Sequence, residues 1–246
     1  MLSLMTAMES LEAGAGRLGL KLSMKQLEQF HIYWKDLVEW NRRVNLTRIT
    51  GYQEVQIKHF LDALTVCLVW PPPRVSDVLR IIDVGTGAGI PGVPLKILFP
   101  EIRLVLLEAT EKKAAFLRHI SDRLVLADAE VVTGRAEDAA RQERYRESFD
   151  IVVSRAVAPL VTLAELALPF CVIGGSFIAQ KKGDLVSEIS RAERAISRLG
   201  GRLREVRTVD LEEFSDERQL VVIDKELATP ELYPRRSGIP SKRPLS

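Results

Sequence analysis

The sequence is poor in the residues that mark secreted, membrane and metal-binding proteins. Only two cysteines occur in 246 residues, Cys67 and Cys171, and each stands in an apolar run. We therefore expect buried thiols and not a disulfide or a nucleophile. The three histidines show no metal-ligand spacing, so no metal site is predicted. No apolar run reaches the ~18 residues that span a bilayer, and the chain start lacks an apolar signal core, which predicts a cytoplasmic protein without a membrane contact.

The amino-acid composition is that of an ordinary globular protein. Hydrophobic residues make up 46% and charged residues 28% of the chain, which suits one sizeable domain with an elaboration. The net charge of +2 hides two basic segments, the last seventeen residues and residues 181–207. Basic segments fit a partner with phosphates, and a merely solvated surface fits them equally. No heptads are legible, and we expect a monomer.

The first 75 residues have a helical pattern. After Ser23, a suitable N-cap, apolar side chains recur at three- and four-residue steps. These side chains are Leu27, Phe30, Trp34, Leu37 and Val38. A second helical segment covers residues 55–70, and three prolines then end it. We predict an N-terminal helical cap over residues 1–75 and a second domain over residues 76–246.

The second domain alternates strand and helix patterns. Seven runs rich in β-forming residues occur at 79–85, 103–109, 129–134, 149–156, 174–181, 202–211 and 218–226. Helical patterns separate the early runs, and in one of them Phe116, Leu117 and Ile120 share a face behind Thr110 as N-cap. This alternation predicts an α/β, Rossmann-like fold with a mostly parallel seven-stranded sheet. The last two runs lack a helix between them, which predicts an antiparallel hairpin at the sheet edge.

The loop after the first predicted strand reads IIDVGTGAGIPG over residues 81–92. It contains Gly85-x-Gly87-x-Gly89 and, in another register, Gly87-x-Gly89-x-x-Gly92, which is the dinucleotide-binding pattern. Glycine lets backbone approach a ligand closely, and open α/β sheets bind ligands at the carboxyl ends of their strands. We predict a ligand loop; a glycine-rich turn without a ligand is the alternative.

Two acidic residues bear on the identity of the ligand. Glu108 ends the second predicted strand nineteen residues after Gly89, a spacing typical of an acid that binds a ribose hydroxyl. Nicotinamide cofactors and S-adenosylmethionine both carry that ribose. Asp83 precedes the glycines, where a carboxylate would repel a pyrophosphate and attract an ammonium and a sulfonium. The chemistry favours S-adenosylmethionine over NAD, and Gly92 then serves packing of helix on strand.

The third predicted strand ends in GRAED, where Ala136 and Glu137 would meet an adenine. Glu137 could accept a hydrogen bond from the exocyclic amine. A solvated glutamate at a helix start explains the same residue equally well.

Several longer motifs together resemble one family. They are WNRRVNLT (40–47), KHFLDAL (58–64), IIDVGTGAGIPGVPL (81–95), LEATEKKAAFL (107–117), VVSRA (152–156) and YPRRSGIPSKRPL (233–245). In combination they are similar to the 16S rRNA guanine-N7 methyltransferase G family, formerly called glucose-inhibited division protein B. The resemblance implies a class I S-adenosylmethionine-dependent methyltransferase fold with an N-terminal helical cap. It also implies methylation of N7 of guanine 527 in 16S rRNA of the small ribosomal subunit.

The resemblance also implies site residues. It assigns Gly85 and the loop through Ile90 to the methionine and adenosine portions of the cofactor, Glu108 to the ribose, and Arg155 to the junction of donor and guanine. The full candidate set for the cofactor is Asp83, Gly85, Gly87, Gly89, Ile90, Glu108, Ala109, Thr110, Ala136, Glu137 and Arg155. The family usually has one lysine before the glycine that follows the fifth strand. Here Lys181 and Lys182 both stand there, so which one faces the pocket is open.

The implied reaction needs no general base. N7 of guanine carries an exposed lone pair and can attack a sulfonium methyl directly, so positioning can supply most of the catalysis. The sequence has no Asn/Asp-Pro-Pro-aromatic string after the fourth strand and no Pro-Cys nucleophile, which argues against amine or carbon methylation. We hypothesise that Arg155 binds the guanine edge or a phosphate and braces the cofactor carboxylate. A structural salt bridge is the alternative for Arg155.

Basic residues of the C-terminal segment are the candidate RNA contacts, together with the two lysines. The set is Lys181, Lys182, Arg235, Arg236, Lys242 and Arg243. A disordered, solvated tail would explain the C-terminal residues equally from the sequence alone, and the resemblance favours RNA. Three other functions remain possible: a small-molecule methyltransferase, an NAD-dependent oxidoreductase, and a non-enzymatic RNA-binding protein. The substrate would be naked 16S rRNA or an assembling small subunit.

Overall fold

All seven predicted strands form, and they build one sheet. The computed structural model describes residues 8–70, 78–155 and 158–245. The strands are β1 Arg80–Val84, β2 Arg103–Glu108, β3 Ala129–Thr133, β4 Phe149–Ser154, β5 Cys171–Lys182, β6 Gly201–Val209 and β7 Arg218–Lys225. They lie in the order β3-β2-β1-β4-β5-β7-β6.

The sheet topology places a ligand site at the loop after β1. Strands β1 to β5 are parallel to one another, and β7 runs antiparallel to both β5 and β6. The predicted edge hairpin of the last two strands is therefore confirmed. Strand order reverses between β1 and β4, and open α/β sheets bind ligands at such a switch point.

Helices connect the strands and cover both faces of the sheet. They are α1 Glu9–Arg17, α2 Met24–Val44, α3 Tyr52–Val55, α4 Asp62–Leu64, α5 Gly92–Leu98, α6 Glu111–Arg123, α7 Ala136–Ala139, α8 Leu160–Ala167, α9 Val186–Arg198 and α10 Ile239–Lys242. A π-helical turn over Gln56–Leu61 joins α3 to α4, and a 3₁₀ turn over Thr65–Val69 follows. The predicted helical segment 55–70 is thus helical but irregular.

Alternate side chains of each central strand enter two different cores. Ile81 and Val153 pack with the N-terminal helices, α5 and α6. Their neighbours Ile82 and Val152 pack instead with α8 and α9. Two buried faces explain why these strands read as continuous apolar runs without a polar alternation.

Helix α2 begins as predicted, but its buried face is shifted. Ser23 Oγ accepts from the backbone of Gln26, and the Gln26 side chain accepts from the Ser23 backbone, which makes a capping box. Trp34 and Val38 of the predicted stripe are half-buried. Tyr33, which the pattern missed, is fully buried. Its hydroxyl group has a partner in the ligand loop, described below.

The N-terminal helices share a core with the sheet, since Phe30 of α2 and Ile81 of β1 belong to one cluster. The three prolines that end the predicted helical segment lie outside the described residues, so the division at residue 75 stays a prediction. Within the described ranges, no helix is long and apolar enough to cross a membrane.

Cys67 and Cys171 are free, and burial raises the pKa of each thiol to about 12.

Candidate active site

The glycine loop follows β1, and its backbone faces open space at Gly85. Gly85 and Gly87 have positive φ of 71° and 61°. A Cβ at Gly85 would meet nothing within 4 Å, so conformation and not crowding selects glycine there. Gly89 is different, because a Cβ there would come within 2.9 Å of the Tyr33 hydroxyl. That hydroxyl donates to the carbonyl of Ala88 and ties the loop to α2.

Asp83 lies beneath this loop and is fully buried. Its Oδ2 accepts from Thr86 Oγ1 at 2.6 Å and from the backbone of Gly92 at 2.8 Å. Its Oδ1 has no hydrogen-bond partner within the described ranges. Burial raises the pKa of Asp83 to about 7, against the opposing effect of the two hydrogen bonds. Asp83 therefore holds the loop, and its attraction for a cationic ligand stays a prediction.

Gly92 serves packing, as we expected from its position after the loop. A Cβ there would come within 2.6 Å of Leu106 on β2. Helix α5 therefore lies close to the sheet at Gly92.

Glu108 links the glycine loop to the next loop of the same edge. Its Oε2 accepts from the backbone of Gly87 at 3.0 Å, and its Oε1 accepts from the backbone of Thr110 at 2.8 Å. Thr110 is the N-cap residue of α6, but its side chain makes no cap hydrogen bond. Each carboxylate oxygen keeps a further acceptor position, so these contacts leave a ribose contact of Glu108 possible.

Two cavities lie at this edge, and Gly85 lines both of them. The large cavity has a volume of about 710 Å³. Its polar lining side chains are Thr47, Thr86, His59, Arg155, Gln180, Lys181, Lys182 and Glu188. The small cavity has a volume of about 310 Å³. Its lining includes small or aliphatic residues, Val84, Leu107, Ala109, Ala136 and Leu163, and part of the C-terminal segment.

The predicted cofactor residues divide between these cavities. Gly87, Ile90 and Arg155 line the large cavity. Ala109, Ala136 and Glu137 line the small one. The remaining candidates line neither of the two cavities; they are Asp83, Gly89, Glu108 and Thr110.

Arg155 enters the large cavity from the end of β4 and is held by the N-terminal helices. Its Nε lies 3.1 Å from Oδ2 of Asp62, and its Nη2 donates to the carbonyl of Lys58 at 2.8 Å. The same Nη2 lies 3.1 Å from Nδ1 of His59. Asp62 also pairs with the buried Arg218. Burial lowers the pKa of Arg155, and Asp62 opposes this effect. The salt bridge proposed as the alternative role of Arg155 exists, and it leaves Arg155 on the cavity wall.

His59 stands beside Arg155 on the π-helical turn. Burial lowers the pKa of His59 to about 3, and the charge of Arg155 acts in the same direction. Its Nε2 lies 2.8 Å from Oγ1 of Thr47. The ring is therefore neutral at physiological pH, and both nitrogens face protein groups.

The two adjacent lysines have different environments. Lys181 is nearly buried, pairs with Glu188 at 2.7 Å and donates to the carbonyl of Ala158 at 2.9 Å. Lys182 is half exposed and pairs with Asp216 at 2.7 Å. Both line the large cavity. Both ammonium groups are paired, but only Lys182 is half exposed, so Lys182 is the better candidate for a phosphate.

The C-terminal segment is packed, and it closes the small cavity. Arg235 makes a bidentate pair with Glu165, which is fully buried. Arg235 is thus an anchor of this segment, and its role as an RNA contact stays a prediction. The backbone of Gly238 donates to Oε1 of Glu137 at 2.7 Å. Glu137 is buried, so it is not the solvated glutamate considered above.

Three other cations of this segment remain at the surface, and one of them also lines the small cavity. They are Arg236, Lys242 and Arg243. None of the three forms an ion pair with the described residues. Tyr233 and Leu245 are buried, so the segment up to residue 245 is not a solvated tail. Its contact with the site is a feature that the sequence did not predict.

Comparison with known proteins identifies the family. The sequence pattern of the family described as rRNA small subunit methyltransferase G matches residues 26–221. The chain belongs to this family. It is 50% identical over 238 residues to the ribosomal RNA small subunit methyltransferase G of Dehalococcoides mccartyi, covering 97% of this chain and 100% of the relative. It is 48% identical to the protein of the same name from Pelotomaculum thermopropionicum, covering 96% and 98% of the two chains.

The fold of this family member is also found in distant solved structures. The precorrin-6y C5,15-methyltransferase of Geobacter metallireducens superposes with a TM-score of 0.50 at 16% identity, covering 72% of this chain and 91% of that one. At such low identity the likeness concerns the fold alone. It confirms the predicted class I methyltransferase architecture.

Several residues of the site were not found by reasoning from residue patterns. They are Tyr33, Thr47, His59, Asp62, Glu165 and Glu188. Three of them lie in the quoted motifs WNRRVNLT and KHFLDAL. Those motifs were the available signal, but no pattern along the chain shows that they meet Arg155.

Proposed function

We propose that this family member methylates N7 of guanine 527 in the 16S rRNA of the small subunit, with S-adenosylmethionine as the donor. Membership of the methyltransferase G family supports methyl transfer to small-subunit rRNA. The observation that carries the finer proposal is the meeting of two unlike cavities at Gly85. The small cavity suits a nucleoside, and the large cavity presents Arg155 to an incoming base.

The residues present fit S-adenosylmethionine. Bare backbone at Gly85 leaves room where the two cavities meet. Ala109 and Ala136 give the small cavity apolar walls suited to an adenine, and Glu108 can accept from ribose hydroxyls. The buried, unpartnered Oδ1 of Asp83 favours a cationic group nearby. When bound, the cofactor supplies an electrophilic methyl group on a sulfonium.

The groups around the large cavity support a transfer without a general base. Both ring nitrogens of His59 face protein partners, and its low pKa makes it a poor base. The carboxylate of Glu188 is paired with Lys181. The lone pair of N7 can react without losing a proton first, so these residues need only orient the base and exclude water. Arg155 provides a fixed guanidinium that can bind the base edge or a phosphate.

The surface cations support a polyanionic substrate over a small molecule. Lys182 stands at the rim of the large cavity, and Arg236 and Arg243 are exposed on the C-terminal segment. Phosphate contacts of this kind position RNA without reading its sequence. A substrate in the small ribosomal subunit also supports a cytoplasmic site of action.

The test is methyl transfer from a tritiated donor to small-subunit particles and to naked 16S rRNA from cells that lack the enzyme. We expect one N7-methylguanine at position 527, mapped by mass spectrometry of rRNA fragments. A methyl group on another atom or nucleotide contradicts the proposal. Titration with S-adenosylhomocysteine and with NADH separates the methyltransferase from an oxidoreductase.

A further inference from the structure

A third cavity lies on α2 and shares no lining residue with the two cavities of the candidate site. It is an open groove of about 540 Å³, which we call the α2 groove. Its lining residues are Trp34, Lys35, Val38, Glu39, Arg42 and Arg43. The four charged residues among them are exposed and follow one another at helical spacing, so they share one face of α2. The α2 groove is therefore a charged stripe on the outer side of this helix.

The charge of the α2 groove is mainly positive, and little of it is neutralised by the protein itself. Lys35 and Arg42 form no ion pair with any described residue. Arg43 lies 3.6 Å from the carboxylate of Glu39, and both side chains are more than half exposed. Water and salt screen an exposed pair of this kind, so it contributes little. The groove can thus offer a polyanion two unpaired cations and a third that is weakly paired.

The half-buried residues of the groove are aromatic and apolar. They are Trp34 and Val38. Nε1 of Trp34 donates to the carbonyl of Thr50 at 3.2 Å, and its ring packs edge-on against Tyr52, which fixes the indole. Proteins bind single-stranded nucleic acid with this combination, in which cations contact phosphates and an aromatic ring contacts a base. An acidic protein segment would match the cations alone, so the α2 groove favours RNA.

The α2 groove is continuous with the large cavity along the chain. Leu46 and Thr47 line that cavity and follow Arg43 by three and four residues. Consecutive Cα atoms are about 3.8 Å apart, so the Cα atoms of Arg43 and Leu46 lie within roughly 11 Å of each other. Arg48, the next residue, is exposed and has no ion pair in the part of the chain that the structure describes. An RNA strand with one base in the large cavity can therefore reach the groove with nearby nucleotides.

We propose that the α2 groove binds the RNA strand beside the target guanine. Its three cations contact phosphates, and the exposed part of Trp34 contacts a base or a sugar. This inference rests on the proposed function, because it takes the large cavity as the place of the target base. Phosphate contacts fix the register of a nucleic acid without reading its sequence. The α2 groove thus positions the strand, whereas Arg155 meets the base.

The first experiment measures the affinity for a naked 16S rRNA fragment that contains the target, at several salt concentrations. Replacing Lys35 and Arg42 by Ala removes two exposed, unpaired cations, so the melting temperature should change little. We expect the slope of log affinity against log salt to fall by roughly 1.4–1.8, which corresponds to two lost phosphate contacts. Glu39→Gln removes the acid of the groove and should tighten binding by about two- to fivefold.

An unchanged slope on naked RNA overturns the proposal. If the double variant then binds small-subunit particles more weakly than wild type, the groove contacts a protein and not RNA. Weaker RNA binding by Glu39→Gln would also contradict a contact between this groove and phosphates.

The matched control removes the same charge from another helix. Arg194 and Arg198 of α9 are exposed and have no ion pair within the described ranges. Their helix packs on the opposite face of the sheet from α2. Replacing both by Ala should leave the salt slope as in wild type, and an equal fall in the two double variants would overturn a local contact. S-adenosylhomocysteine affinity should match wild type in both.

The closing experiment locates the RNA. Lys35→Cys carries a tethered iron chelate that cleaves nearby RNA through hydroxyl radicals, and wild type treated in the same way controls for the native cysteines. We expect cuts within a few nucleotides of the methylated guanine, mapped by primer extension. Cuts confined to other parts of the 16S rRNA overturn the proposal for the α2 groove. Cuts beside a methylated guanine at a position other than 527 support the groove and contradict only the proposed target.

Discussion

The two cavities that meet at Gly85 are built in different ways. The large cavity is lined by charged side chains whose positions depend on pairs between distant elements, such as Arg155 with Asp62 and Lys181 with Glu188. The small cavity has mainly small and aliphatic walls, with Arg135, Glu137 and Lys242 also in its lining, and the packed C-terminal segment closes one side of it. Removing a single charge can therefore alter the large cavity, whereas the small cavity depends on how its segments pack. Under the proposed function, the base would react in the large cavity and the small cavity would hold the adenosine of the cofactor.

The largest effect should follow from removing Arg155. We expect Arg155→Ala to lower the rate of methyl transfer by roughly 10²–10³-fold, the loss typical of one preorganised charged donor. Asp62 keeps its pair with Arg218, so the melting temperature should change little. Tritium transfer to 16S rRNA and thermal melting measure the two quantities. Activity close to wild type would mean that the large cavity is not the reaction site.

The anchor of the C-terminal segment should dominate the stability of the other cavity. Arg235→Ala leaves the buried Glu165 without its partner, which should lower the free energy of unfolding by about 3–5 kcal/mol. It should also weaken binding of S-adenosylhomocysteine, because α10 lines the small cavity. The exposed neighbour Arg236 is the matched control, and Arg236→Ala should change stability by less than about 0.5 kcal/mol. Chemical denaturation measures the stability, and calorimetry measures the affinity for S-adenosylhomocysteine. Equal changes in the Arg235→Ala and Arg236→Ala variants would contradict a role of the C-terminal segment in closing the small cavity.

The exposed cations of the same segment should affect RNA and not the cofactor. Replacing Arg236 and Arg243 by Ala should reduce the slope of log affinity against log salt by roughly 1.4–1.8 for RNA. S-adenosylhomocysteine affinity should be unchanged. Arg80 and Arg103 begin β1 and β2 at the opposite end of the sheet and are exposed, so their double Ala variant is the matched control. An equal change of slope in both variants would refute a local RNA contact.

The smallest effect concerns pH. Burial raises the pKa of Asp83 to about 7, so in the free protein this group is partly protonated near neutrality. A cationic ligand favours the ionised form, and binding should release a proton. Affinity for S-adenosylmethionine, which carries the sulfonium, should therefore rise between pH 6 and 8, by less than about tenfold. Calorimetry in buffers of different ionisation enthalpy measures the proton release, and Asp83→Asn should show none.

Reasoning along the chain was reliable for elements and for the loop that follows β1. Seven strands, the caps of α2 and α6, and the edge hairpin were all predicted, because apolar periodicity and turn residues act locally. It did not show that Arg235 is paired, since a basic segment looks the same whether its charge is solvated or paired with a buried glutamate. It also missed Tyr33, whose hydroxyl satisfies a loop carbonyl 55 residues away.

The amino-acid sequence by itself determined the α/β class, the ligand loop and the family. These depend on apolar periodicity, on the conformation of glycine and on motifs of consecutive residues. The tertiary structure alone decided which charges are free and which are committed. Lys181 and Lys182 are adjacent in the sequence, yet Lys181 is nearly buried with Glu188, whereas Lys182 is half exposed and pairs with Asp216. Such roles arise from distances between remote segments, and no local pattern records them.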